Sequence, residues 1–102
     1  MAKRTVVDIA SIRQRLREQL PSLSSRYHVK SLGVFGSYVR GEQRADSDLD
    51  LLVEFVEPPS LFQFIELEHA LSDAVGVKVD LVMKDALKPA IGRHILQEVT
   101  AV

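Results

Sequence analysis

Apolar residues recur at helical spacing near the start of the chain, at Ile9, Ile12, Leu16 and Leu20, with arginines between them. That periodicity predicts an amphipathic helix lying on an apolar surface, capped by Asp8 and ended by Pro21. SLSSRYHVK then reads as a polar connection. SLGVF, residues 31–35, is a short strand whose Gly33 marks close backbone approach or a spot where a side chain does not fit. Gly36-Ser37 turns the chain into one or two helical turns through Gly41, and Glu42 to Ser47 form a loop. A second strand runs from Asp48 to Phe55, and Pro58-Pro59 breaks the chain. Ser60 and Gln63 have the spacing of a capping box, and Leu61, Phe64, Ile65, Leu71 and Val75 give the next helix its stripe, closed by Gly76. Residues 77–83 alternate as a third strand. From Asp85 a last helix follows, with Pro89 in its first turn and Leu87, Ile91 and Ile95 on its buried side.

The order α-β-α-β-α-β-α predicts an α/β (α+β) fold, a small mixed sheet with helices packed against it. Pattern alone leaves strand direction open. The length of 102 residues suits one domain, 1–102, with a single core. The 13 basic and 14 acidic residues leave a net charge of −1, which gives no case for nucleic acid or an acidic membrane as the main partner. Locally, Lys3, Arg4, Arg13, Arg15 and Arg17 make the first part basic, either as a solvated helix face or as a modest anionic contact. With no cysteine there is no disulfide, thiol catalysis or Cys-type zinc site. No apolar stretch approaches the ~20 residues that span a bilayer, and the N-terminus lacks a signal h-region, so a cytoplasmic protein is expected.

The stretch GSYVRGEQRADSDLDLLVEF, residues 36–55, sets acids where a buried strand begins. Strand residues alternate faces, so Leu49, Leu51, Val53 and Phe55 point one way and Asp48 and Asp50 the other, their Cα atoms roughly 6.6 Å apart. In the third strand Asp80 is the one mid-strand acid, and neighbouring strands would bring it to the same face. Three carboxylates in a partly dry site repel unless a divalent cation neutralises them, and an all-oxygen set suits Mg2+ or Mn2+ over zinc. Two such ions serve in-line displacement at phosphorus. The alternative reading is ordinary: D-x-D pairs also occur as turns or caps, and isolated acids sit on solvent-facing strand positions.

Gly36-Ser37 stands where a strand gives way to a short helix. Gly admits a bulky anion to the backbone, Ser offers a hydroxyl, and Arg40, one turn on, can add a guanidinium. The turn is neither a Walker A loop nor a G-x-G-x-x-G. Turn, arginine, paired aspartates and a later third acid together resemble the nucleotidyltransferase superfamily typified by DNA polymerase β. The closest likeness is to its minimal, single-domain MNT branch, whose members are often encoded beside a HEPN-domain partner as a toxin–antitoxin pair. Residues 36–53 match that branch's G-S-x-x-R-G-x-x-x-x-x-S-D-x-D-L-x-V pattern at every fixed position.

The resemblance implies Gly36 and Ser37 on the triphosphate, and Asp48 and Asp50 as ligands of two Mg2+. It makes Asp80 the third carboxylate, bound to the catalytic metal and aiding deprotonation of the incoming hydroxyl. The implied reaction transfers AMP from ATP to a hydroxyl, a tyrosine or similar, of a HEPN toxin. Because the chain ends soon after its last helix, a second chain is expected to complete the site or be the substrate. Two alternatives stay open: neutralisation of the partner by occlusion without catalysis, and a small-molecule nucleotidyltransferase completed by a separate helical subunit. His28, His69 and His94 lack metal-ligand spacing, though Arg93 and His94 could reach nucleotide or partner. Tyr38 either contacts the ligand or packs on the sheet. Phe62, Phe64 and Ile65 read as core, with Phe62 a candidate partner contact if exposed. Glu54 shares the aspartate face but lies too far along it to be a ligand.

Overall fold

A computed structural model describes residues 8–44, 46–87 and 89–102, apart from the side chains of Ala90 and Ile91. Lys3, Arg4 and the side chain of Ile91, singled out above, lie outside the described residues. Asp8 caps α1, Ile9–Tyr27, by accepting the Ser11 N–H at 2.8 Å. The helix does not end at Pro21. It continues for six more residues, taking in most of the expected connection. Pro21 and Arg17 are both exposed, so the Arg17 carbonyl that Pro21 cannot pair belongs to the solvent-facing side of the helix. The stripe also extends past the proline, with Ile12, Leu16, Leu23 and Tyr27 all buried. His28, in the left-handed region at φ 59°, closes the helix and turns the chain into β1, Val29–Phe35.

After β1 come the short helix α2, Ser37–Arg40, then β2, Leu49–Phe55, and α3, Leu61–Val75. The capping box of Ser60 and Gln63 is formed in both directions, at 3.0 and 3.1 Å. On α3 the buried line is Leu67, Leu71 and Val75, with Phe64 packed against it. At about 100° per residue these four lie within about 40° of one line, whereas Ile65 falls about 120° and Phe62 about 180° away. The expected stripe is corrected accordingly: Leu61 and Ile65 are exposed, and so is Phe62, at 84 %. Strand β3 is Val79–Met83, two residues shorter than expected, and a 3-10 turn over Lys84–Ala86 precedes α4, Pro89–Glu98, with Pro89 as its first residue. The last helix is therefore shorter than the run from Asp85. A strand the pattern did not predict, β4 at Thr100–Ala101, follows.

The four strands form one mixed sheet in the order β3-β2-β1-β4, with β1 antiparallel to both neighbours and β2 parallel to β3. Helices α1 and α3 cover one face, where Leu49, Leu51 and Val53 meet Ile12, Leu16, Leu67 and Leu71, all fully buried. On the other face Gly33 has its predicted use: a Cβ there would run into Val99 Cγ2. Arginines of α1 tie elements together, Arg15 donating to the Val75 carbonyl at 3.2 Å and Arg13 to that of Ala101 at 3.1 Å. Among the described residues no helix is long and apolar enough to cross a membrane.

Candidate active site

The sheet register decides where the acids meet. Because β1 and β2 are antiparallel, the last residue of β1, Phe35, pairs with Asp50 near the start of β2. Because β2 and β3 run parallel, Asp50 is opposite Asp80. The Gly36 turn, the Asp48–Asp50 segment and Asp80 thus share one end of the sheet. Asp48 stands immediately before β2 rather than inside it. The loop that delivers it closes on itself: the Arg44 N–H donates to Ser47 Oγ at 2.8 Å and the Ser47 N–H to the Arg44 carbonyl at 3.0 Å. The Leu49 N–H then joins the Lys78 carbonyl at 2.8 Å, docking the segment beside β3.

Asp48 and Asp80 are exposed, and Asp50 is half-buried between them. Burial pushes the Asp50 carboxyl up to about 6, and the Asp80 and Asp48 charges and a hydrogen bond with Asp80 add to it, against a smaller opposing pull from Arg40. Among the described residues no three acidic, histidine or cysteine side chains already converge as a closed metal cage. Three carboxylates with no nitrogen or sulfur donor fit Mg2+.

Gly36 has φ 83° and ψ −152°, a region essentially reserved for glycine, and a Cβ there would collide with Asp50 Oδ2. The turn therefore lies directly against the middle carboxylate. The Val39 and Arg40 N–H groups return to the Gly36 carbonyl at 3.1 and 3.2 Å, leaving those of Ser37 and Tyr38 at the head of α2 without a helical acceptor. Gly41, at φ 71°, ends the turn. Tyr38 packs in the core at 2 % exposure, so its side chain is a support and not a ligand contact. Burial, then the Asp48 charge, raises its phenol above the ordinary range. Arg40 is held by two acids, Glu42 at 2.8 Å and Glu98 at 2.6 Å.

Glu98 is the residue the sequence did not single out. Its second oxygen accepts the Gly36 N–H at 2.9 Å, so one carboxylate spans the turn and Arg40. The Gly36 N–H and Arg40 hold it below the usual glutamate range, and His94 adds a small share of that effect. A glutamate in the last turn of an amphipathic helix carries no signal of this role. Glu54, as expected, serves elsewhere, pairing with Lys30 at 3.7 Å and Lys84 at 3.8 Å and accepting from Ser31 at 3.2 Å. A cavity of about 210 Å3 on the aspartate face is lined by Leu52, Leu96 and Val99 among others and holds none of the three aspartates.

The nucleotidyltransferase domain family matches residues 13–102 of the chain. This chain belongs to it. The protein adenylyltransferase MntA of Thermococcus cleftensis is 50 % identical over 102 residues, covering all of both chains. A solved structure assigned as a minimal nucleotidyltransferase superposes with a TM-score of 0.80 at 40 % identity, over 96 % of this chain and 99 % of that one. The same fold recurs in a complex of a tri-AMPylated Shewanella oneidensis HEPN toxin with an MNT antitoxin, with TM-score 0.65 and 18 % identity over 88 % of this chain and 70 % of that one. The chain is a minimal nucleotidyltransferase, with the mixed sheet and packed helices expected of that fold.

Proposed function

We propose that this nucleotidyltransferase moves AMP from ATP to a hydroxyl, tyrosine being the natural candidate, of a HEPN-domain toxin encoded nearby, and so acts as its antitoxin. The observation that carries the reading is the register that sets Asp50 opposite Asp80 and against the Gly36 turn. Phosphate-binding backbone and metal-type carboxylates then adjoin with no side chain between them. The name of the Thermococcus relative and the AMPylated toxin of the Shewanella complex support AMP as the group moved and a HEPN protein as the acceptor. In this reading residues 1–102 act as one domain in the cytoplasm.

Asp48, Asp50 and Asp80 would hold Mg2+, which when bound offsets charge on the attacking and departing oxygens. The chain's own groups do the rest. The Ser37 hydroxyl, the free N–H groups at the head of α2 and Arg40 receive the β- and γ-phosphates. The acceptor oxygen bonds to the α-phosphorus as the bond to the bridging oxygen breaks. Pyrophosphate departs with that oxygen, and the hydroxyl proton passes to a carboxylate, Asp80 in this assignment.

The test is the intact mass of the HEPN partner after incubation with the chain, ATP and Mg2+. One or more added AMP groups, lost with Asp48→Asn, are expected. An unmodified partner in a stable complex would replace this reading with neutralisation by occlusion.

A further inference from the structure

We infer that Glu98 is a positioning residue for the nucleotide site, fixing the Gly36 turn against Asp50 and aiming Arg40 beside it; this rests on the reading above. Two oxygens of one carboxylate hold two groups distant in sequence, the Gly36 N–H and the Arg40 guanidinium. The Glu98 side chain is only 15 % exposed. Its backbone is tied on both sides. The Val99 N–H closes the last turn of α4 onto the Ile95 carbonyl at 2.9 Å, while β4 pairs Thr100 with Val34 and Ala101 with Gly33. Val99 itself lies over Gly33, two residues before the last position of β1. So Glu98 sits on a fixed platform. It grips Gly36 through the N–H, while Asp50 Oδ2 abuts the Cα of the same residue.

This arrangement sets the separation between the phosphate turn and the middle aspartate. A carboxylate free to swing away would instead act as an internal anion that competes with phosphate, and the two roles predict opposite effects. Arg40 keeps donors to spare, because Glu42 takes Nε and Glu98 takes one of the terminal nitrogens. Held in this way, the guanidinium loses little further freedom when phosphate arrives.

The experiment compares wild type, Glu98→Gln and Glu98→Ala by binding of a non-hydrolysable ATP analogue with Mg2+ and by amide hydrogen exchange at Gly36. For Glu98→Ala the expected result is exchange about tenfold faster or more at Gly36 and affinity about ten- to a hundredfold weaker, with core amides such as Leu51 unchanged. Glu98→Gln keeps an acceptor for the Gly36 N–H and falls between; it also decides the question if the alanine variant does not fold. Unchanged affinity in either variant would overturn the inference, and tighter binding would show a competing anion in its place. A wild type that binds the analogue but modifies no partner would sink the proposed transfer while leaving the Glu98 result standing. A wild type that transfers AMP with Glu98→Ala equal to it would sink only the inference.

Discussion

Asp50 shows what placing a carboxylate in the proposed site costs in stability. Its carboxyl titrates near 6 in the fold against an ordinary value of 3.8. With the folded value above the unfolded one, its contribution is most favourable below about pH 4 and is lost as pH rises through about 6. Metal-free protein should therefore lose stability across that window, and Asp50→Asn should flatten the profile. At pH 7 the variant should be more stable by on the order of 1 kcal/mol, a figure discounted for partial exposure, as urea unfolding at several pH values would show. The aspartate was legible in the sequence because alternation placed it on the face away from Leu49 and Leu51. Gly36 was legible as a turn, but its contact with Asp50 was not, since that depends on strand register. Gly36→Ala forces both a disfavoured backbone region and a collision with Asp50. A loss of about 1–3 kcal/mol and of nucleotide binding is expected, read by thermal unfolding and analogue titration.

Among the elements, α1 is where propensity misled. Pro21 is a stop signal in isolation, yet the helix runs through it because the apolar stripe resumes at Leu23 and Tyr27 and the interrupted carbonyl is on the wet side. Tertiary packing of the helix face outweighs the local cost. Pro21→Ala should restore the missing backbone bond and raise stability by about 1–2 kcal/mol, the helix gain exceeding the added freedom of the unfolded chain. A fall in the urea midpoint would show that the proline is instead adapted to its site. On α3 the cap was readable from Ser60 and Gln63, while the stripe was misassigned because five apolar residues crowd its first half and any of several faces fits them. Strand β4 escaped notice for a simpler reason: two residues carry no period.

At the scale of the whole molecule, the proposed site is assembled by one antiparallel and one parallel pairing that place three strand ends together. Composition and motif pointed to the chemistry, but the convergence belongs to the topology, and Glu98 reaches the turn only because β4 folds back along β1. The exposed ring of Phe62, opposite the buried line of α3, meets the condition under which the sequence made it a candidate partner contact. Phe62→Ser should change stability of the isolated chain by no more than about 0.5 kcal/mol, and a larger loss in thermal unfolding would give the ring a structural role. The central claim is that metal and triphosphate meet between the Gly36 turn and the three aspartates. The measurement that tests it most directly is paramagnetic broadening of amide resonances by Mn2+ in the presence of a non-hydrolysable ATP analogue. Broadening centred on residues 36–38, 48–50 and 80, and abolished by Asp50→Asn, is the predicted result. Broadening centred elsewhere, or unchanged by that substitution, would contradict it.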